Sequence, residues 1–219
     1  MRARQEGTAP DGSPLELYRL LPPGREPDLI ASAIPPPARL LELGSGPGRV
    51  THALLERGYE VVAVDESAEM LAHVRGARTV RSRIEDLDLG ELFDGVLLMS
   101  HLVNQPERAA RSALLSACRR HLRPGGRVLV ERLDPRLAER EPGETVMGDV
   151  RIRLADARRE ADRLYGTVEY DAGERGRFTH SFAAFILDDA TFAEDLADAG
   201  LMLAGWLDER RTVAVAERA

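Results

Sequence analysis

Lysine is absent from the 219 residues, so all thirty basic side chains are arginine. Phosphate-loop nucleoside triphosphatases, protein kinases, Schiff-base enzymes and pyridoxal-phosphate enzymes each need a lysine ammonium at a fixed position, and the sequence excludes all of them. Cysteine is nearly absent too. The single Cys118 cannot form an internal disulfide or supply a thiolate cluster, which fits a reducing compartment and argues against a structural metal. No window approaches the roughly eighteen uninterrupted apolar residues of a membrane span. The N-terminal MRARQEGTAPDGSP has no apolar segment behind its charges, so it reads as a frayed tail rather than a secretory signal, and the expected location is the cytoplasm. A net charge of -7, from 37 acids against 30 bases without basic segregation, disfavours a nucleic-acid partner. What remains is one soluble globular domain over 1–219, 43% apolar and long enough for a full core.

The apolar pattern gives that domain an order. PLELYRLL and EPDLIASAI place apolar residues at helical spacing, and the prolines at 35–37 stop the second helix. From Arg39 to Arg132 the runs RLLEL, EVVAV, ARTV, DGVLLM and RVLVE alternate with amphipathic stretches such as RVTHALLER, SAEMLAHV and PERAARSALLSACRRHL. Strand alternating with helix predicts an α/β fold: a doubly wound, mostly parallel sheet buried on both faces. Residues 144–187 instead alternate at period two in DVRIRLA, DRLYGTVEYD and RGRFTHSFAAFIL, which predicts an antiparallel insertion after the fifth strand. DDATFAEDLADAGL reads as a helix, and LMLAGWLD and RTVAVAE as two closing strands of a seven-stranded sheet.

The most specific stretch is Leu40-Leu41-Glu42-Leu43-Gly44-Ser45-Gly46-Pro47-Gly48-Arg49. An apolar strand there runs into glycine at every second position and then into a helix, so the backbone can turn under a ligand and expose amides near a helix start. The spacing differs from the Gly-x-Gly-x-x-Gly of dinucleotide folds, which argues against a nicotinamide oxidoreductase. Asp65 ends the next strand twenty-one residues after Gly44, where an acid in this kind of fold accepts both ribose hydroxyls. Its structural alternative is a role at the start of the helix ESAEML, where Ser67 would cap equally well.

Taken together, ELGSGPG, the acid of VVAVD, FDGVLLMSH and LRPGGRVLVE resemble the class I S-adenosylmethionine-dependent methyltransferases, with a Rossmann-like fold, over about Leu40 to Glu131. The resemblance implies S-adenosylmethionine as cofactor and a small-molecule acceptor methylated at nitrogen, oxygen or activated carbon. It implies a tail and lid helices at 1–37, a cofactor-binding core at 38–143, a substrate cover at 144–187, and a closing helix and strands at 188–219. Carried over residue by residue, Glu42 would orient the glycine loop or meet the cofactor's amino group, while Gly44, Ser45 and Gly46 would lie against its methionine and ribose. Asp65, beside Glu66, would hold the ribose; Met70 would flank adenine; Met99, followed by Ser100, would offer its carbonyl to the methionine amino group. Where relatives carry an acid for the adenine amino group, this chain has Arg83, which cannot accept that bond. Glu85, a main-chain carbonyl or water would then take over, or adenine recognition is weak, with Ile84 as an apolar wall.

His101 follows the fourth strand at the ligand-binding edge of the sheet and is the candidate base or positioning residue for the acceptor. Tyr18, Arg132, Tyr165, His180 and Phe182 are candidates to contact the acceptor; for the aromatics and for His180 a packed core role competes, and for Arg132 a solvated rim pair with Glu131. A nucleic-acid amino methyltransferase would carry Asn/Asp-Pro-Pro-aromatic where this chain has Met99-Ser100-His101-Leu102. A protein methyltransferase and a catalytically silent cofactor-binding subunit are the alternatives, and a monomer or homodimer is expected.

Overall fold

Inner strands that must be covered on both faces should be apolar without a break, and β1 (Arg39–Leu43), β2 (Glu60–Asp65) and β4 (Phe93–Leu98) each bury four or more consecutive or near-consecutive residues. The computed structural model describes residues 15–136 and 143–219; the tail expected at 1–14 lies outside the described residues. With β3 (Arg78–Arg81), β5 (Leu122–Glu131), β10 (Leu201–Trp206) and β11 (Val213–Arg218), these strands form a seven-stranded sheet in the order β10-β11-β5-β4-β1-β2-β3. The first five strands are parallel, and β11 runs antiparallel to β5 and β10 antiparallel to β11.

Side chains leave the inner strands alternately toward two cores. Leu41, Val62 and Val96 join the core beneath α5 (Arg108–His121) and α6 (Asp189–Asp198), while their neighbours Leu40, Val61 and Leu97 join the one under α2 (Glu26–Ala33) and α3 (Arg49–Glu56). The sequence stretch SAEMLAHV becomes a helix for four residues only, α4 (Ala68–Leu71), capped by Ser67 Oγ accepting from Met70 N at 3.2 Å. The chain then turns, and Arg75 N donates to His52 Nε2 at 2.9 Å, which fixes His52 in a structural role.

Residues 144–185 form a second sheet, β6 (Glu144–Met147), β7 (Val150–Glu160), β8 (Arg163–Asp171) and β9 (Arg177–Phe185), antiparallel throughout. Helix α1 (Leu15–Leu20) covers one end of it, with Leu17 and Leu20 against Val150, Ile152, Tyr170 and Phe178. Register places Val168 opposite His180 and Gly166 opposite Phe182. A side chain at Gly166 would bring a Cβ within 2.7 Å of the Phe182 ring, so the glycine makes room for the aromatic.

Two polar devices join this sheet to the first. Buried Asn104 donates from Nδ2 to Phe185 O at 2.8 Å and accepts at Oδ1 from Leu133 N at 2.9 Å. Arg111, buried with Asp195 at 2.6 Å, also lies 4.4 Å from the Phe185 ring centroid. Cys118 is fully buried, and burial pushes its thiol up to about 12, so it serves as core rather than as a nucleophile. No helix among the described residues is long and apolar enough to cross a membrane, and no group of side chains among them could hold a metal ion.

Candidate functional site

The strand order reverses direction between β1 and β4, and at the carboxyl ends of β1, β2 and β4 a cleft of about 480 Å³ opens. Such a switch point is where open parallel sheets bind ligands. The glycine loop that leaves β1 forms its floor: Gly44 N and Ser45 N donate to Val64 O at 2.8 and 2.9 Å, so the loop is pinned to the next strand. Asp65 completes the clamp, accepting from Gly46 N at 2.9 Å through Oδ2 and from Ser67 N at 2.9 Å through Oδ1. An ionised carboxylate oxygen can accept more than one hydrogen bond.

Gly46 has a φ of +56°, and a Cβ built on it meets no protein atom within 4 Å. The empty space is the cleft itself, left open for a ligand to approach the backbone. Beside it, the buried Ser45 Oγ has no hydrogen-bond partner among the described residues, a donor that a bound molecule would satisfy.

Glu42 ends up almost wholly buried behind the loop, where Thr51 Oγ1 donates to its Oε2 at 2.5 Å. Burial pushes its carboxyl up to about 7, with the Thr51 hydrogen bond and Arg49 acting in the opposite direction. An acid raised in the folded state binds its proton more tightly there than in the unfolded chain. Stability is therefore intact below the ordinary carboxyl range, falls as pH rises from about 4.5 to about 7, and is level above that. Glu42→Gln removes this loss, on the order of 3 kcal/mol, while keeping an acceptor for Thr51. Urea unfolding of both proteins at pH 5 and pH 8 checks it: the variant should gain on the wild type at pH 8 and show little advantage at pH 5.

The cleft also receives Glu66, Met70, Ile84, Glu85, Met99 and Ser100. Met70 and Met99 are buried, the Met99 carbonyl accepts from Leu102 N at 3.3 Å, and Ser100 N donates to Glu131 Oε2 at 2.8 Å. Arg83 pairs with Glu85 at the rim; burial pushes the Glu85 carboxyl up, but a hydrogen bond from its own backbone amide and the Arg83 guanidinium together hold it below its usual range. Tyr18 from α1 and His180 from β9 close the remaining side.

The other expected contacts fall elsewhere. His101 lies outside the cleft lining: Ser100 and His101 both have positive φ, 55° and 60°, and this left-handed step carries the ring into solvent while the His101 carbonyl accepts from Asn104 N at 2.9 Å. Arg132 is no rim residue. Its side chain is fully buried, donates to Leu187 O at 2.9 Å and Arg211 O at 3.0 Å, pairs with Asp189, and stacks 4.3 Å from the Trp206 ring centroid. Tyr165 points from the second sheet's outer face, one residue out of phase with Leu164 and Gly166, and lies under the Arg158 guanidinium. Phe182 shares the face of His180 but is spent on packing over Gly166.

Thr51 and Arg49 went unread in the sequence. An acid isolated in an apolar strand, as Glu42 is, signals a buried donor nearby. Arg49 bonds Glu26 at 2.6 Å and Pro22 O at 3.2 Å, fastening the N-terminal segment to the start of α3.

Comparison with known proteins agrees with this geometry, since residues 40–126 match the family model described as a methyltransferase domain. Over that segment the chain is similar to methyltransferase domains. An uncharacterized methyltransferase of Mycobacterium tuberculosis is 37% identical over 134 residues, covering 58% of this chain and 53% of the relative. The cypemycin N-terminal methyltransferase of Streptomyces is 31% identical over 139 residues, covering 53% and 57%. The chain thus spans about half the length of the curated relatives it matches. In fold, the chain superposes on a sugar N-methyltransferase from Streptoalloteichus with a TM-score of 0.74 at 20% identity, over 100% of this chain and 96% of that one. Every cleft residue named from the glycine loop, β2 and β4 lies inside the matched segment, whereas Tyr18 and His180 lie outside it.

Proposed function

We propose that this chain transfers a methyl group from S-adenosylmethionine to a small-molecule acceptor. The observation that carries the reading is the clamp of Asp65 on Gly46 at the mouth of the cleft, which brings a carboxylate and an open backbone to one ligand. Asp65 holds the ribose hydroxyls. Gly44, Ser45 and Gly46 line the methionine and ribose portion, with Ser45 Oγ as an available partner. Met70 and Ile84 wall the adenine, and the Met99 carbonyl and Ser100 face the amino-acid end. Glu42 stays behind the loop and sets its position through Thr51.

The cofactor, when bound, supplies an electrophilic sulfonium methyl whose in-line transfer needs proximity and alignment above all. The protein contributes the alignment and excludes water by bringing α1 and the second sheet over the cleft. A small acceptor is supported by this covering and by a cleft of about 480 Å³. Nitrogen acceptors are supported by two similar proteins, one named for an N-terminal methyltransferase of cypemycin and one for a sugar N-methyltransferase.

Calorimetry with S-adenosylhomocysteine tests the cofactor half, and labelled methyl transfer into a metabolite panel, read by mass spectrometry, tests the acceptor half. Absence of binding rejects the reading; binding without transfer to any acceptor points to the silent cofactor-binding subunit instead.

A further inference from the structure

Of the five histidines, two are bound into the structure through their rings. His52 accepts from Arg75 N at 2.9 Å, and buried His121 meets Ala117 O at 2.8 Å and Leu89 N at 3.1 Å. His101 is solvent-exposed. His180 alone lines the cleft, half-buried, and its ring has no hydrogen-bond or ion-pair partner among the described residues. It stands on the inner face of β9 between Phe178 and Phe182, opposite Val168. An imidazole set in an apolar wall and turned toward a ligand cleft is placed to exchange a proton with what enters.

The charge around it selects the entrant. Glu42, Asp65, Glu66 and Glu85 line the cleft against only two arginines, Arg49 and Arg83. Arg83 and Glu85 cancel each other within the lining, Arg49 is engaged with Glu26 at 2.6 Å, and Glu42 is buried against Thr51, which leaves Asp65 and Glu66 as the excess acids of the lining. An acidic lining attracts an ammonium and raises the cost of forming a phenolate, an alkoxide or any other anion beside it.

Building on the methyl-transfer reading, we propose that the acceptor is a primary or secondary amine that enters protonated, and that His180 is the base that prepares it. The acceptor's N–H bond breaks, the proton passes to an imidazole nitrogen, and the electron pair stays on the acceptor nitrogen as the lone pair that methyl transfer needs. His180 returns the proton to solvent afterwards, so the step is balanced without a further reactant. A base in reach of the proton it removes contributes about 10²- to 10⁴-fold in rate.

The test uses the full chain loaded with S-adenosylhomocysteine and labelled at histidine Cε1, with benzylamine as the amine probe and benzoate as its anionic counterpart. The His180 resonance, assigned by its absence from His180→Gln, should move saturably with benzylamine and stay in place with benzoate. His180→Gln should bind S-adenosylhomocysteine as the wild type does and lose about 10²- to 10⁴-fold in methyl transfer to the amines of a metabolite panel. An unmoved resonance with benzylamine, equal movement with benzoate, or an alcohol, phenol or carboxylate as the methylated product overturns the amine assignment. Failure of the wild type to bind S-adenosylhomocysteine overturns the reading beneath it, and calorimetry separates that result from the others.

Discussion

Gly46→Val should leave the protein folded and take away its measurable affinity for S-adenosylhomocysteine. At a φ of +56° the backbone is left-handed, which costs a side-chain-bearing residue about 1–2 kcal/mol. That is a modest part of the stability of a domain this size. The added Cβ itself meets no heavy atom of the protein within 4 Å. The isopropyl group projects into the cleft and takes the place where a ligand must touch the backbone. Circular dichroism and thermal melting should report a folded chain, and calorimetry should report no binding. Gly46→Ala, with less backbone strain than the β-branched valine and a smaller obstruction, should retain weak binding. Affinity unchanged in the valine variant would remove the loop from the site.

Asp65→Ala should weaken the same binding by roughly 10²- to 10⁴-fold, since two charge-assisted hydrogen bonds to ribose hydroxyls are worth about 1.5–3 kcal/mol each. The alanine also frees Gly46 N and Ser67 N, at present held at 2.9 Å by the two carboxylate oxygens. Asp65→Asn separates these effects. Its single carbonyl oxygen can keep one of the two amides, and it presents no charge to the ribose, so its affinity should fall between wild type and alanine. Calorimetry on all three proteins measures the series, and equal affinity across it would reject ribose binding by this residue.

The parallel core was legible because its signals are local. Apolar runs such as RLLEL and DGVLLM, broken at regular intervals by amphipathic stretches, leave few alternatives to a sheet covered on both sides. The glycine loop was legible for the same reason, as its spacing lies within one turn of chain. Ser67 took the capping role weighed for it, and Asp65 reached the cleft. Contacts that depend on tertiary rotation were not legible. Period two correctly placed β8 and β9 in one sheet, but the face each residue presents is decided by which side packs on α1. Tyr165 and His180 therefore went to opposite faces. Arg132 looked like a rim cation because it ends a strand, yet carbonyls from two other segments and two aromatic rings lie around its guanidinium. His101 moved outward because two successive residues adopt positive φ, which nothing in Met-Ser-His-Leu announces.

Asn104 bears on how such a domain can be altered. Its amide is buried, and its two bonds are to Phe185 O at the end of β9 and Leu133 N beyond β5. Excision of the second sheet would leave that amide half-satisfied in the interior, at a cost of about 1–3 kcal/mol. The second sheet is therefore grafted into the fold through a residue that belongs to the core. In hydrogen exchange, the amides of Leu133 and Phe185 should open together rather than as separate units. A chimera that exchanges 144–187 for the second sheet of a protein of similar fold must bring a matching carbonyl to Asn104, or replace Asn104 along with the sheet.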